Sequence, residues 1–225
     1  FGLGLLSGFL NAVVGGGGLI VIPALIFLGL SPHVAIATNK FGTIGVVLIA
    51  CYKFMKAGKV HWPLAVGFVV IATVAGVLGA EFVLEVDSEF LMKLIGWIIL
   101  LFVPVFYFKK ELGVEKRETP LWMKLIGFLL YFAAMFFAAS FGGGAGILVM
   151  YIITTFFGLP ILETKATDVI AWFCLTASSL IVFIGSDVIN FEVGYSLIAG
   201  SLIGGYIGAH LAINKGSLWI KRIFL

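Results

Sequence analysis

The chain has 225 residues, 62% of them hydrophobic and 11% charged, with a mean hydropathy of +1.20 and a formal net charge of +3. A water-soluble domain of this length has too little interior to hide that much apolar surface, so composition excludes one and makes lipid the solvent. The basic residues are split among membrane-flanking loops rather than gathered in one patch, so no nucleic-acid partner is expected. A membrane-crossing helix takes roughly 20 apolar residues, which gives the chain room for about eight crossing or half-crossing segments in one domain.

Residues 1–13 read as an apolar helix that runs into the glycine run Gly15, Gly16, Gly17 and Gly18. No signal-peptide pattern precedes it, and the fuller second copy of this helix implies that a few residues are missing from its start. A shorter apolar helix is expected at 18–28, followed by three long ones at 32–54, 62–84 and 89–108. Ser31 before Pro32 reads as a helix start, a capping hydroxyl with a proline whose missing N–H does no harm. The charged stretch 109–120 is the linker. Beyond it the series returns: a helix at 121–139, a break containing Gly142, Gly143, Gly144 and Gly146, a short helix at 147–157, long helices at 161–184 and 191–213, and an unfinished segment from about 218.

A shift of 129 positions lays the second half on the first without a gap from Gly15 to Ala80. Gly15 falls on Gly144, Gly17 on Gly146, Gly29 on Gly158, Thr38 on Thr167, Asn39 on Asp168, Gly76 on Gly205 and Gly79 on Gly208. Aligned glycines are harder to obtain by chance than aligned leucines, so the chain reads as an internal duplication. Lysine and arginine collect in short cytoplasmic loops. That rule places Lys53, Lys56, Lys59 and the linker inside, Glu85 to Glu89 outside, Asp187 and Glu192 outside, and Lys215 to Arg222 inside. Equivalent loops then face opposite sides, so each half must cross an odd number of times. Three long helices supply three crossings, and the segments flanking each glycine break form a hairpin that enters and leaves by one side, with a full double crossing as the alternative. The fold expected is an all-α integral membrane bundle of two inverted-topology repeats, residues 1–108 and 121–225, joined by a cytoplasmic linker at 109–120.

Helix breaks at membrane depth are tolerated only where they are buried in protein or line a watery cavity. The helix that follows each break opens with N–H groups that lack an intrahelical partner, which favours negative charge, and glycine lets an anion approach the backbone. The competing reading is that these glycines only permit tight helix crossings. Asn39 and Asp168 each sit about eight residues into a long helix, roughly 12 Å from its start, where polar groups are costly and function is the default reading. An interhelical bond that merely holds the bundle is the alternative. Lys40 lies one residue deeper than Asn39, whereas Lys165, near a helix start, is expected at the cytoplasmic surface. Asn11 and Ser140 align just ahead of the two breaks and read equally as ligand contacts or packing groups. His33, His61 and His210 lack metal-ligand spacing, and Cys51 and Cys174 read as buried thiols, so neither a metal nor another cofactor is expected.

The run from Gly8 through Asn11 to Gly18, then Pro23, Gly29 and Ala37-Thr38-Asn39, with the echoes Phe141 to Gly146 and Ala166-Thr167-Asp168, resembles the TauE/SafE sulfite exporter family over nearly the whole chain. The resemblance implies export of small sulfur-containing anions, such as sulfite or sulfonates including sulfoacetate. Members also carry other organic anions. Thiosulfate-carrying relatives use cysteines along the pathway, and this chain has two without repeat symmetry.

The expected function is a secondary carrier in the cell membrane, not an enzyme, that moves a small anion by alternating access around a midplane site. Gly15 to Gly18 and Gly142 to Gly146 would hold the anion's oxygens, with Asn11, Thr38, Asn39, Lys40, Ser140 and Thr167 completing the cage. Asp168 is expected either to accept a proton, the candidate coupling ion, or to pair with a lysine. A passive anion channel is the main rival reading, and an intramembrane enzyme a more distant one.

Overall fold

A computed structural model describes residues 1–13, 15–97, 118–142 and 144–224. Residues 109–117 of the linker expected at 109–120, and most of the helix expected at 89–108, lie outside the described residues. The elements are α1 (Gly2–Val13), α2 (Gly18–Phe27), α3 (Pro32–Lys56), α4 (Trp62–Glu85), α5 (88–97), α6 (Leu121–Phe141), α7 (Ala145–Phe156), α8 (Ile161–Gly185) and α9 (Phe191–Phe224). Among the described residues there is no strand. Among the described residues five helices are long and apolar enough to cross a membrane: α3, α4, α6, α8 and α9 as far as Gly216. At Gly216 the backbone turns to φ 73°, so the helical stretch beyond it is the start of the segment expected from about 218.

The long helices open where proline fixes the entry. Pro32 and Pro63 occupy the first turns of α3 and α4, and Pro120 and Pro160 precede α6 and α8. Ser31 departs from expectation. Its hydroxyl makes no cap bond, while its carbonyl accepts the Ala35 N–H at 2.8 Å. Preset proline geometry carries this helix start without the side-chain cap.

The glycine breaks are true reversals. Gly15 has φ +89°, and Gly142 and Gly144 have φ +66° and +76°, conformations that a side chain disfavours. After the breaks, α2 and α7 extend only about 15 and 18 Å, about half of a hydrocarbon core of roughly 30 Å. The return arms are therefore too short to cross the bilayer, and α2 runs from the buried break out to exposed Phe27 and Leu28.

Packing contacts fix the helix directions. Gly4 and Gly8 of α1 meet Leu197 and Ser201 of α9, and Gly42 and Gly45 of α3 meet the same two residues in the same order. Hence α1, α3 and α9 run one way. Gly67 and Gly79 of α4 meet Phe128 and Phe136 of α6, while the turn before α4 meets Thr167 and Gly76 meets Leu175 on α8. Hence α4, α6 and α8 run together, and the short loop 57–61 makes them antiparallel to the first set. Helices at equivalent places in the two halves thus point in opposite directions. Small residues allow this closeness: a methyl on Gly8 would fall 2.5 Å from the Ser201 carbonyl. The outside of the bundle is apolar, with Ile181 75% and Leu129 70% exposed, as lipid requires.

Candidate functional site

Two helices supply most of the site. On α3, Asn39, Lys40 and Thr43 follow one another along a face that turns apolar at Val46, Val47 and Ala50. On α8, Lys165, Val169, Trp172 and Thr176 recur at helical spacing. Asn11 at the end of α1 and the reversal glycines Gly15 and Gly142 complete a cavity with an empty volume of about 550 Å³, its mouth included. The breaks make the cavity possible, because each ends a helix inside the bundle rather than at its surface.

The wall is rich in groups that seek a partner. Lys40 is 2% exposed, and its Nζ donates to the Ala138 carbonyl at the end of α6, 2.8 Å away. Lys165 is 5% exposed, and its Nζ donates to the Asn11 carbonyl at the end of α1, also at 2.8 Å. Each lysine reaches into the opposite half and caps the carbonyl end of the helix before that half's break, where cations are favoured. An ammonium has three donors, so two remain on each. Among the described residues, neither nitrogen lies within 4.0 Å of a carboxylate. The Asn39 amide, buried and without a hydrogen-bond partner among the described residues, turns its nitrogen toward Gly142. Thr176 Oγ1 is buried and unpaired as well.

Asp168 stands behind this wall. Its Oδ1 accepts from the Tyr131 hydroxyl at 2.8 Å and its Oδ2 from Trp172 Nε1 at 2.7 Å. Trp172 therefore joins the acid to the cavity. Tyr131 is itself stacked on Phe68, with ring centroids 4.4 Å apart.

Several expected site residues are engaged elsewhere. Thr38 Oγ1 accepts the Asn190 N–H, and Thr167 Oγ1 accepts the His61 N–H, both at 3.0 Å. These bonds are equivalent under the repeat: 38 maps to 167 and 61 to 190. Ser140 donates to the Phe136 carbonyl at 2.9 Å or the Gly79 carbonyl at 3.2 Å, so it serves packing. Asn11 Oδ1 accepts the Gly17 N–H at 2.8 Å, so that donor of the α2 start is occupied from within the chain. Gly16, Gly17, Gly18 and Gly144 stay off the cavity wall, and Gly146 packs directly on the Gly15 backbone. Gly143 lies outside the described residues. Lys165 corrects the sequence reading, which placed it at the surface: it starts one turn into α8, and its chain runs inward to the Asn11 carbonyl near the end of α1. Thr43, Trp172, Thr176 and Tyr131 were not foreseen. The spacing of four from Asn39 to Thr43, and from Asp168 to Trp172, was the available signal for two of them.

The fold, with a cavity at its helix breaks, defines a multi-pass helical membrane protein. The chain matches the family described as Sulfite exporter TauE/SafE over residues 1–225 and belongs to it. It is 30% identical over 222 residues to the "Probable membrane transporter protein" of Haemophilus influenzae, covering 98% of this chain and 87% of that one. It is 25% identical over 225 residues to the "Probable membrane transporter protein YfcA" of Escherichia coli K12, covering 100% of this chain and 84% of the relative. A third relative, "Probable membrane transporter protein YunE" of Bacillus subtilis, is 23% identical over 238 residues, with 95% and 86% covered. No solved structure matches the chain.

Proposed function

We propose that the protein is a secondary carrier that exports a small anion, sulfite or an organosulfonate such as sulfoacetate, by alternating access around the cavity between α3 and α8. The observation that carries this reading is the pair of buried lysines, one from each half, opening onto one cavity with spare donors and, among the described residues, no carboxylate within 4.0 Å. Buried positive charge that no close ion pair offsets is costly, Lys40 above all since Asp168 acts on Lys165 only at longer range, and an anion is the ligand that removes the cost. The Asn39 amide and the Thr176 hydroxyl add neutral donors that orient it. The family name, which specifies a sulfite exporter, agrees with that chemistry.

In this reading the two halves are inverted repeats that rearrange about the shared site, supported by the opposed helix directions and the equivalent threonine bonds. Asp168 accepts the coupling proton. It is buried, it makes no ion pair within 4.0 Å among the described residues, and it holds Trp172 of the cavity wall, so a change in its charge is felt by the bound anion.

Sealed vesicles holding the reconstituted protein test the proposal through efflux of labelled sulfite and sulfoacetate. A carrier gives saturable flux that is accelerated by unlabelled anion on the far side. Flux that rises linearly with concentration and is indifferent to far-side anion would overturn it in favour of a channel.

A further inference from the structure

A second, smaller cavity adjoins the first. It has an empty volume of about 160 Å³, mouth included, and lies among α1, α2, α3 and α9, sharing Asn39 and Thr43 with the large cavity and adding Ser7 and Ser201. Hydrogen-bond accounting gives it a definite chemistry. Thr43 Oγ1 spends its one proton on the Asn39 carbonyl at 2.8 Å, and Ser201 Oγ spends its own on the Gly42 carbonyl at 2.7 Å. What these hydroxyls have left is lone pairs, and Ser7 Oγ, which accepts from Asn11 Nδ2 at 3.3 Å, keeps a second one. Asn39, 5% exposed and without a side-chain partner among the described residues, directs its nitrogen to Gly142 on the large-cavity side, which leaves its oxygen turned away from that glycine.

We propose that the small cavity binds a monovalent cation, with sodium as the fitting ion, held by Asn39 Oδ1, Thr43 Oγ1, Ser7 Oγ and Ser201 Oγ, and transported with the anion in the neighbouring cavity. Hard cations take oxygen ligands. With no carboxylate in the lining, a divalent ion would stay largely uncompensated, so the site suits a single charge. The inference rests on the anion reading of the large cavity. Lys40 and Lys165 repel a cation next door until an anion offsets them, so each ion strengthens the binding of the other. Asn39 is the shared partner, with its nitrogen toward the anion and its oxygen toward the cation.

The test is the affinity of the purified full chain for sulfite and for sulfoacetate in sodium, potassium and choline salts at equal ionic strength. Binding is expected to be about tenfold tighter in sodium than in choline, within the usual range of coupling between sites. Ser201→Ala, which removes a small-cavity hydroxyl and its bond to the Gly42 carbonyl but lies off the large-cavity wall, should raise the sodium concentration for half-maximal effect about tenfold and leave anion affinity at saturating sodium unchanged. Ser7→Ala gives a second route if Ser201→Ala fails to fold. Equal anion affinity in all three salts would overturn the cation site while leaving the anion site standing. No anion binding in any salt would overturn the anion reading and this site with it.

Discussion

The two halves share a frame and differ in their chemistry. Thr38 and Thr167 make the same bond to the turn leading into the other half's second long helix, α9 and α4, at the same 3.0 Å. One residue later the halves part: Asn39, Lys40 and Thr43 in the first stand against Asp168, Val169 and Trp172 in the second. The frame positions are the same because both halves must satisfy the same buried backbone N–H. In the proposed reading the site positions differ because a small anion bound between the halves would contact each differently. At these positions the first half presents an amide and an ammonium to the cavity, and the second an indole backed by an acid.

The largest effect is expected where the frame is tightest. Gly146→Val drives a branched side chain into the Gly15 backbone, with an expected loss of more than about 3 kcal/mol and failure to recover folded protein by size-exclusion chromatography. Next comes the polar contrast itself. Asn39→Asp places a carboxylate where the anion should meet an amide, and anion affinity should fall about 10- to 100-fold, the worth of a hydrogen bond to a charged group plus repulsion. Thr38→Val and Thr167→Val each orphan one backbone N–H, so both should lower stability by a similar amount, about 1–2 kcal/mol, in detergent unfolding curves. A loss in only one of the two would break the equivalence. The smallest change in rate belongs to Asp168→Asn, which keeps the shape of the Tyr131 and Trp172 contacts. Flux at neutral pH should stay within a few-fold of the parent while its dependence on a pH gradient disappears. A retained dependence would remove Asp168 from the coupling role.

Much of the frame was legible because it is written in backbone constraints. Positive φ at Gly15, Gly142 and Gly144 needs glycine, and the helix boundaries follow prolines and apolar runs. Asn11, Asn39 and Lys40 were legible because polar groups stand out in an apolar helix. Lys165 was misplaced because loop-charge counting assigns a lysine near a helix start to the surface, and the carbonyls it caps belong to a helix 154 residues away in sequence. Tyr131 and Trp172 were hidden because an aromatic residue in a membrane helix reads as packing until its polar edge is seen bonded to an acid. Thr38 and Thr167 were expected at the ligand, and which partner their hydroxyls take is decided by the turns at Asn190 and His61, which only the folded chain brings near.

The account turns on two lysines from opposite halves holding one anion. Its most direct test is equilibrium binding of sulfite and sulfoacetate to the purified protein and to Lys40→Met and Lys165→Met, each first shown to fold. Both variants should lose at least about tenfold in affinity, as expected when a charged hydrogen bond to the ligand is removed. Parent-like affinity in either variant would contradict the shared site.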